Sequence, residues 1–221
     1  MSNIVLYAFP GACPRVTANA LEEIGVSFDY YTVNIRADAN HSAEYLALNR
    51  KGKVPALSMD GKIMTENAAI LAYLDKAYPR AGLLPHADDM FEDNQALVDL
   101  VWCSATLHPM IRQVRAPQKF TVGDPADVQT DGMKKFAKEA AFMSERLAGG
   151  KWWYGDRWSI VDVYVYWNYS TAAKGGFPLK DYPVLVDHAA RVRARPSFQR
   201  TLARELAAVK EHDLPIDPAV L

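Results

Sequence analysis

Within the first eighty residues, short apolar runs closed by turn residues alternate with stretches of helical periodicity, an order that few small folds accept. Ile4 to Phe9 predicts a buried strand, ended by Pro10 and Gly11. From Pro14 the positions Val16, Ala20, Leu21 and Ile24 share one helical face, and Gly25 is placed to stop the helix. Phe28 to Val33 predicts a second strand and Ala43 to Leu48 a short helix. Pro55 to Met59 and Lys62 to Met64 predict a hairpin through Asp60-Gly61, and a last helix runs from Asn67 to about Tyr78. The result is a small α/β unit of order β-α-β-α-β-β-α, its first strand pair parallel and its final pair antiparallel.

The segment Pro79 to Asp89, PRAGLLPHADD, loses periodicity and carries two prolines, as a linker does. Beyond it the pattern is helical. Leu97, Val101, Ser104, His108 and Ile111 predict the stripe of one long helix, and Met133 to Leu147 a second helix ended by Gly149-Gly150. In Ile160 to Trp167, IVDVYVYW, branched and aromatic residues give a strand signal. Ser159 and Asp162 nevertheless stand at capping-box spacing, and apolar residues on all sides suit a central buried helix, so this segment is assigned as helix. Helical patterning continues around Val186 and Val192, breaks at Pro196 and resumes through Phe198 and Leu202, leaving an irregular tail after His212.

Charge narrows the partners. With 25 basic and 26 acidic side chains in 221 residues, the chain has no basic field for nucleic acid or an anionic membrane. The start MSNIVLYAFPG lacks a charged segment followed by an apolar run, and nowhere do about 18 apolar residues follow one another, so no membrane is expected. Cys13 and Cys103 stand far apart and without zinc-like spacing, which predicts neither a disulfide framework nor a metal site, and a reducing cytoplasm.

Cys13 lies where the first strand hands over to the first helix, with Pro14 in the position favoured at a helix start. The positive end of the helix there favours an anion, so the thiol can ionise near neutral pH; a small buried residue is the plainer reading. Arg15 adds positive charge nearby or is simply solvated. Lys53-Val54-Pro55 precedes the third strand, where X-Pro is the common route to a cis peptide and an extended ligand can pair with Val54; an ordinary trans proline opening a strand explains it equally. Asn67 is a strong helix cap, while Glu66 beside it can accept a ligand ammonium and the helix start a carboxylate. His108 on an apolar stripe is a catalyst or a satisfied core residue. Phe9, Phe120, Tyr166 and Trp167 are pocket walls or core.

Four segments, YAFPGACPRV (Tyr7 to Val16), NRKGKVPAL (Asn49 to Leu57), TENAAILAYL (Thr65 to Leu74) and SIVDVYVYW (Ser159 to Trp167), together resemble the cytosolic glutathione transferases over nearly the whole chain. The resemblance implies a thioredoxin-like glutathione-binding domain at 1–80, a linker at 81–89 and an all-helical domain at 90–221 that contributes a hydrophobic substrate site: α/β plus all-α. PGAC and the LHP stretch at Leu107 to Pro109 look most like the bacterial beta class, while Cys13-Pro14 is similar to the omega class and glutaredoxins. By that similarity Cys13 and His108 are catalytic, Val54 with a cis-Pro55 pairs with the cysteinyl backbone of glutathione, Glu66 and Asn67 hold its γ-glutamyl end, and Lys53 takes a carboxylate. Lys53 stands where Gln is usual, Asn67 where Ser is usual and Pro109 where Lys is common.

The implied function is a glutathione-dependent transferase acting on small electrophilic or disulfide substrates, with Cys13 at the glutathione sulfur and able to form a mixed disulfide. Glutathione is the co-substrate, no metal is implied, the second substrate is small and hydrophobic, and the family expectation is a homodimer. The alternatives are a glutathione-dependent thiol transferase or lyase, working by deglutathionylation, dehalogenation or ether cleavage, and a non-catalytic binding or regulatory protein of the same fold.

Overall fold

The computed structural model describes residues 3–221. Residues up to Leu83 together with Arg195–Leu221 form one compact unit, and Leu84–Ala194 form a second.

The first unit is built on a four-stranded sheet of order β2-β1-β3-β4, from β1 (Ile4–Ala8), β2 (Asp29–Thr32), β3 (Ala56–Met59) and β4 (Lys62–Thr65). β1 and β2 run parallel with Tyr7 opposite Tyr31, whereas β3 is antiparallel to both β1 and β4, with Leu57 opposite Leu6 and Met64. The β3–β4 turn works because Asp60 and Gly61 both take positive φ, 51° and 82°, as a two-residue hairpin of this hand requires. Helix α1 (Pro14–Ile24) crosses between β1 and β2, and α2 (Ala43–Leu48) and α3 (Asn67–Ala77) complete the motif. α1 ends where the Gly25 N–H closes on the Leu21 carbonyl at 3.0 Å. Every element expected over these residues is present, and the order and pairing directions match the sequence reading.

The last helix, α10 (Pro196–Glu211), packs on α1 within this same unit, whereas the sequence groups it with the helical domain. Charge explains the attachment. Arg195 reaches Glu23 at 2.7 Å, and Arg200 and Arg204 grip Glu22 at 2.7 and 2.5 Å. Arg15, whose exposure is 1%, pairs with the fully buried Glu205 through its Nε and Nη2, and its Nη1 donates to the Leu221 main-chain oxygen at 2.7 Å. The tail beyond α10 is irregular as expected but not loose: Leu214 and Leu221 join Phe9 and Val209 in a small apolar cluster. Gly11, at φ 76°, lies under it; a side chain there would be strained by that backbone conformation, and its β-carbon, 3.2 Å from Leu221 Cδ2, would need the leucine to give by a few tenths of an ångström.

The second unit is helical: α4 (Met90–Asp93), α5 (Gln95–Val101), α6 (His108–Arg115), α7 (Pro125–Ala148), α8 (Ile160–Lys174) and α9 (Pro183–Arg193). α5 and α6 are joined without a break by a π-helical stretch, Trp102–Leu107, in which the His108 N–H reaches back to the Cys103 carbonyl. Pro109 accounts for it. A proline has no N–H to give and its ring crowds the carbonyl four residues earlier, and widening the preceding turn removes the clash without ending the helix. The buried stripe here runs through Leu100, Cys103, Leu107, Ile111 and Val114, not through Leu97 and Val101, which are exposed. The two stripes have the same helical spacing and meet at Ile111, and the buried one is the face covered by α8.

α8 is the buried centre of the unit, with every residue from Ile160 to Tyr169 buried. This resolves IVDVYVYW: its branched and aromatic residues serve burial on all sides, and helix wins through its cap. The Ser159 side chain accepts from the Val161 N–H while Asp162 accepts the Ser159 N–H at 2.9 Å. Asp162 also accepts from the Trp153 N–H at 2.7 Å and faces His188 Nε2 at 3.0 Å, so every polar atom of this buried carboxylate is used. α7 starts eight residues before Met133 because Asp124 caps it, accepting from the Ala126 N–H at 2.8 Å, with Pro125 at its first position. Among the described residues no helix is long and apolar enough to cross a membrane.

Candidate functional site

The site is assembled from three chain segments of the first unit that local chemistry brings to one place. β1 delivers the Phe9–Ala12 loop, where the Ala12 N–H bonds the Phe9 carbonyl at 3.1 Å, and the chain passes directly into α1. Cys13 is the flanking residue of that helix, already in helical conformation with φ −57° and ψ −22°, and Pro14 follows at its first position. Cys13 lies outside any disulfide and is 7% exposed. Its thiol donates to the Val54 carbonyl at 3.5 Å. The sequence expectation of a partly open sulfur at the elbow is therefore realised as a nearly enclosed one that faces the Val54 peptide.

The Val54–Pro55 peptide is cis. Its approach is fixed from the preceding residue: the Lys53 carbonyl accepts both the Tyr45 hydroxyl, at 2.7 Å, and the Asn49 side-chain amide, at 2.6 Å. Burial is the main reason that the Tyr45 hydroxyl is pushed up to about 12, with Tyr7 and Cys13 as further neighbours that disfavour its charge. The Tyr45 phenol thus stays a proton donor across the physiological range. The Lys53 side chain itself is exposed.

Glu66 and Asn67 do not divide their work as the cap rule suggests. α3 begins at Asn67, and Glu66 is the flanking residue, held at φ 72° and ψ 115°. A non-glycine residue in that region is strained, by about 1–3 kcal/mol, and persists where its surroundings over-determine it. Asn67 is 4% exposed and caps nothing. Its Nδ2 donates to the Cys13 carbonyl at 2.8 Å while its Oδ1 accepts the Thr17 hydroxyl at 2.6 Å. Both polar atoms of the side chain are thus turned toward α1, which leaves the backbone at the start of α3 as this residue's offer to a ligand. The Glu66 carboxylate, by contrast, is open to solvent and pairs with Lys51 Nζ at 2.7 Å.

Lys51 is the residue sequence reasoning missed. It binds Thr65 Oγ1 at 2.9 Å as well as Glu66, and so sets a cation against the acidic side chain beside the helix start. Three cations, Arg50, Lys51 and Lys53, flank Gly52 in the sequence, but only the folded hairpin shows which one turns to Glu66. Arg15, expected near the thiol as a positive charge or as a solvated side chain, is neither open nor free in charge, because Glu205 neutralises it in the interior.

Phe9 and Tyr166, read from the sequence as pocket walls or core, are each buried within their own unit. Phe9 is covered by Val209, Leu214 and Leu221 of its own unit. Tyr166, within α8, is 4% exposed, stacks edge-on with Tyr169 at 5.7 Å and takes a hydrogen bond from Arg193 at 2.9 Å. His108 belongs to the helical unit. It is half-buried at the end of the π-helical turn, its ring edge-on to Trp167 at 4.8 Å. Cys103 is fully buried, and burial pushes its thiol well up. Among the described residues no group of three or more His, Cys, Asp or Glu side chains is placed to hold a metal ion.

A mixed sheet of this order, with a thiol at the start of α1 beside a Val-Pro turn and a strained residue opening α3, is a thioredoxin-type α/β unit. The family model of the glutathione S-transferase N-terminal domain matches residues 2–76. Over 82% of this chain and 86% of the relative, the sequence is 30% identical to a maleylacetoacetate isomerase of Rhizobium meliloti (strain 1021). Two solved structures are each 28% identical with a TM-score of 0.80, covering 91% of this chain and 98% of theirs: a sphingomonad glutathione S-transferase complexed with glutathione, and a beta-class glutathione S-transferase of Sphingomonas chungbukensis. The chain belongs to the glutathione S-transferase family.

Proposed function

We propose that this chain is a glutathione-dependent transferase in which Cys13 lies at the glutathione sulfur. The observation that carries the reading is the Cys13 thiol at the start of α1, 3.5 Å from the Val54 carbonyl and tied through Asn67 to the start of α3. A tripeptide pairing with Val54 brings its own sulfur to Cys13, its γ-glutamyl carboxylate to the N–H groups opening α3 and its ammonium to Glu66. Lys53 takes a further carboxylate from solvent. In conjugation, the glutathione thiolate attacks a small apolar electrophile, a bond to the electrophilic carbon forms and a leaving group departs with its electron pair. By the family resemblance, the proton falls to His108.

The nearly enclosed sulfur favours reaction with glutathione itself over attack on bulky disulfides. With oxidised glutathione, the Cys13 thiolate attacks one sulfur, the S–S bond breaks, one glutathione leaves as thiolate and the other stays as a mixed disulfide. A second glutathione then releases the enzyme, because Cys103 is buried and held as a thiol. The likeness to an isomerase supports a second use of the same site: reversible addition of glutathione across a conjugated double bond, rotation, and expulsion of the same thiolate.

The partner expected in solution is a second copy. Met90, Phe91, Leu97, Val98 and Val101 recur at helical spacing along α4 and α5 and are all exposed. A cytoplasmic location fits a nucleophilic thiol that lies outside any disulfide.

Mass spectrometry of the intact chain after treatment with oxidised glutathione, followed by digestion, tests the reading. A glutathione adduct on Cys13, absent from Cys13→Ala, is expected, together with heat of binding for reduced glutathione. No adduct and no heat at millimolar ligand would refute it.

A further inference from the structure

Asn67 stands where the family resemblance expects serine, and its side chain has a bonding pattern that a serine cannot reproduce. One amide bridges the residue flanking α1 and a residue of its first turn: it donates to the Cys13 carbonyl at 2.8 Å and accepts from the Thr17 hydroxyl at 2.6 Å. The Thr17 hydroxyl donates, so it must meet the amide oxygen, and that leaves the NH2 end facing Cys13. A serine hydroxyl, one atom shorter and with a single proton, cannot make both bonds at once.

We infer that Asn67 is a positioning residue for Cys13, fixing the residue that carries the thiol to the N-terminal ends of two helices, α1 and α3, and so favouring the thiolate. The inference rests on the reading of Cys13 as the reactive sulfur. The geometry behind it is a clamp of three points. Sγ meets the Val54 carbonyl, the Cys13 carbonyl meets the Asn67 amide, and the Val16 N–H closes on the same Cys13 carbonyl at 3.1 Å. With the carbonyl end pinned, the Cys13 backbone is held at the N-terminal end of α1, whose positive pole opposes the hold of the Val54 carbonyl on the thiol proton. α1 and α3 are both 11-residue helices, long enough for a developed dipole.

Tyr45 senses Cys13 but remains protonated to about pH 12. Arg15, two residues on, is neutralised by Glu205. Removing the clamp is therefore expected to shift the thiol's ionisation.

The test is the pH profile of Cys13 alkylation by iodoacetamide, followed on the Cys13 peptide by mass spectrometry in the full chain, with the Cys103 peptide as a buried internal control. In Asn67→Asp, a near-isosteric carboxylate still accepts from Thr17 but opposes the Cys13 carbonyl and places a negative charge beside the thiol. An upward shift of the midpoint by about one pH unit is expected, which is about tenfold less thiolate at pH 6. Asn67→Ser is expected to lose roughly threefold, and Thr17→Val, which frees the amide to turn over, about twofold. A role confined to helix stability would lower the melting temperature and leave all three profiles on the parent's. Superimposed profiles in folded variants overturn the inference. Should Asn67→Asp fail to fold, Asn67→Ser and Thr17→Val decide it by the same comparison. A parent midpoint equal to that of free cysteine removes the reading of Cys13 itself, whereas a depressed parent midpoint with unmoved variants removes only the role of Asn67.

Discussion

Replacing Glu205 by Gln keeps the shape of a buried side chain and removes its charge. In the native chain the Arg15 guanidinium, 1% exposed, gives its Nε and Nη2 to the Glu205 carboxylate and its Nη1 to the Leu221 main-chain oxygen. After the substitution the cation stays inside α1's contact with α10, with a neutral amide in place of its counter-charge. Breaking one side of a buried ion pair costs about 3–5 kcal/mol, and the amide oxygen retained by Gln sets the lower end, about 3 kcal/mol. At about 2–4 °C per kcal/mol for a chain of this size, the melting temperature is expected to fall by roughly 6–12 °C. Scanning calorimetry of the two proteins under one buffer measures the difference. The companion is Arg15→Met with Glu205→Leu, which removes both charges and is expected to return to within about 1 kcal/mol of the parent, because the desolvation of two ions is avoided. A drop below about 2 °C for Glu205→Gln would mean that the guanidinium finds water and that the pair does not hold α10 in place, and a double variant worse than the single would refute the desolvation argument.

His108→Ala is expected to lower turnover with glutathione and an electrophile by about tenfold or more while moving the melting temperature little, since the ring is only half-buried; the reverse pattern in kinetics and calorimetry would make it a packing residue against Trp167. Alkaline stability depends on phenols. Burial raises the Tyr30, Tyr45, Tyr154 and Tyr169 hydroxyls above 10, so the folded chain keeps protons that the unfolded chain releases. Their contribution is complete below pH 10 and is lost as pH rises above it, for Tyr45 between about 10 and 12. Denaturant midpoints at pH 9, 10 and 11 should fall progressively, and Tyr45→Phe should flatten the decline; equal slopes would place that hydroxyl in solvent.

The α/β half of the fold was legible because its signals are local. Gly25 after an apolar helical face, Asp60-Gly61 between alternating runs, and Pro14 after a strand each act within a few residues. The helix at Ile160 was legible for the same reason, since the Ser159–Asp162 cap outweighed a β-forming composition. Where long-range packing intervened, the reading failed. The stripe through Leu97 and Val101 and the buried one through Leu100 and Cys103 have the same helical spacing, and packing against α8, which no local pattern carries, chose between them.

What sequence alone determined is the chemical set: a thiol at a strand-to-helix junction, a Val-Pro turn, and an acidic residue ahead of a helix. Tertiary structure decided how those residues are wired. It buried Arg15 against Glu205, turned the Asn67 amide onto Cys13, set Lys51 against Glu66, and folded the tail over Phe9. The reason is that a hydrogen bond between residues 54 or 190 positions apart depends on where the whole backbone places its donors, and no local pattern carries that information.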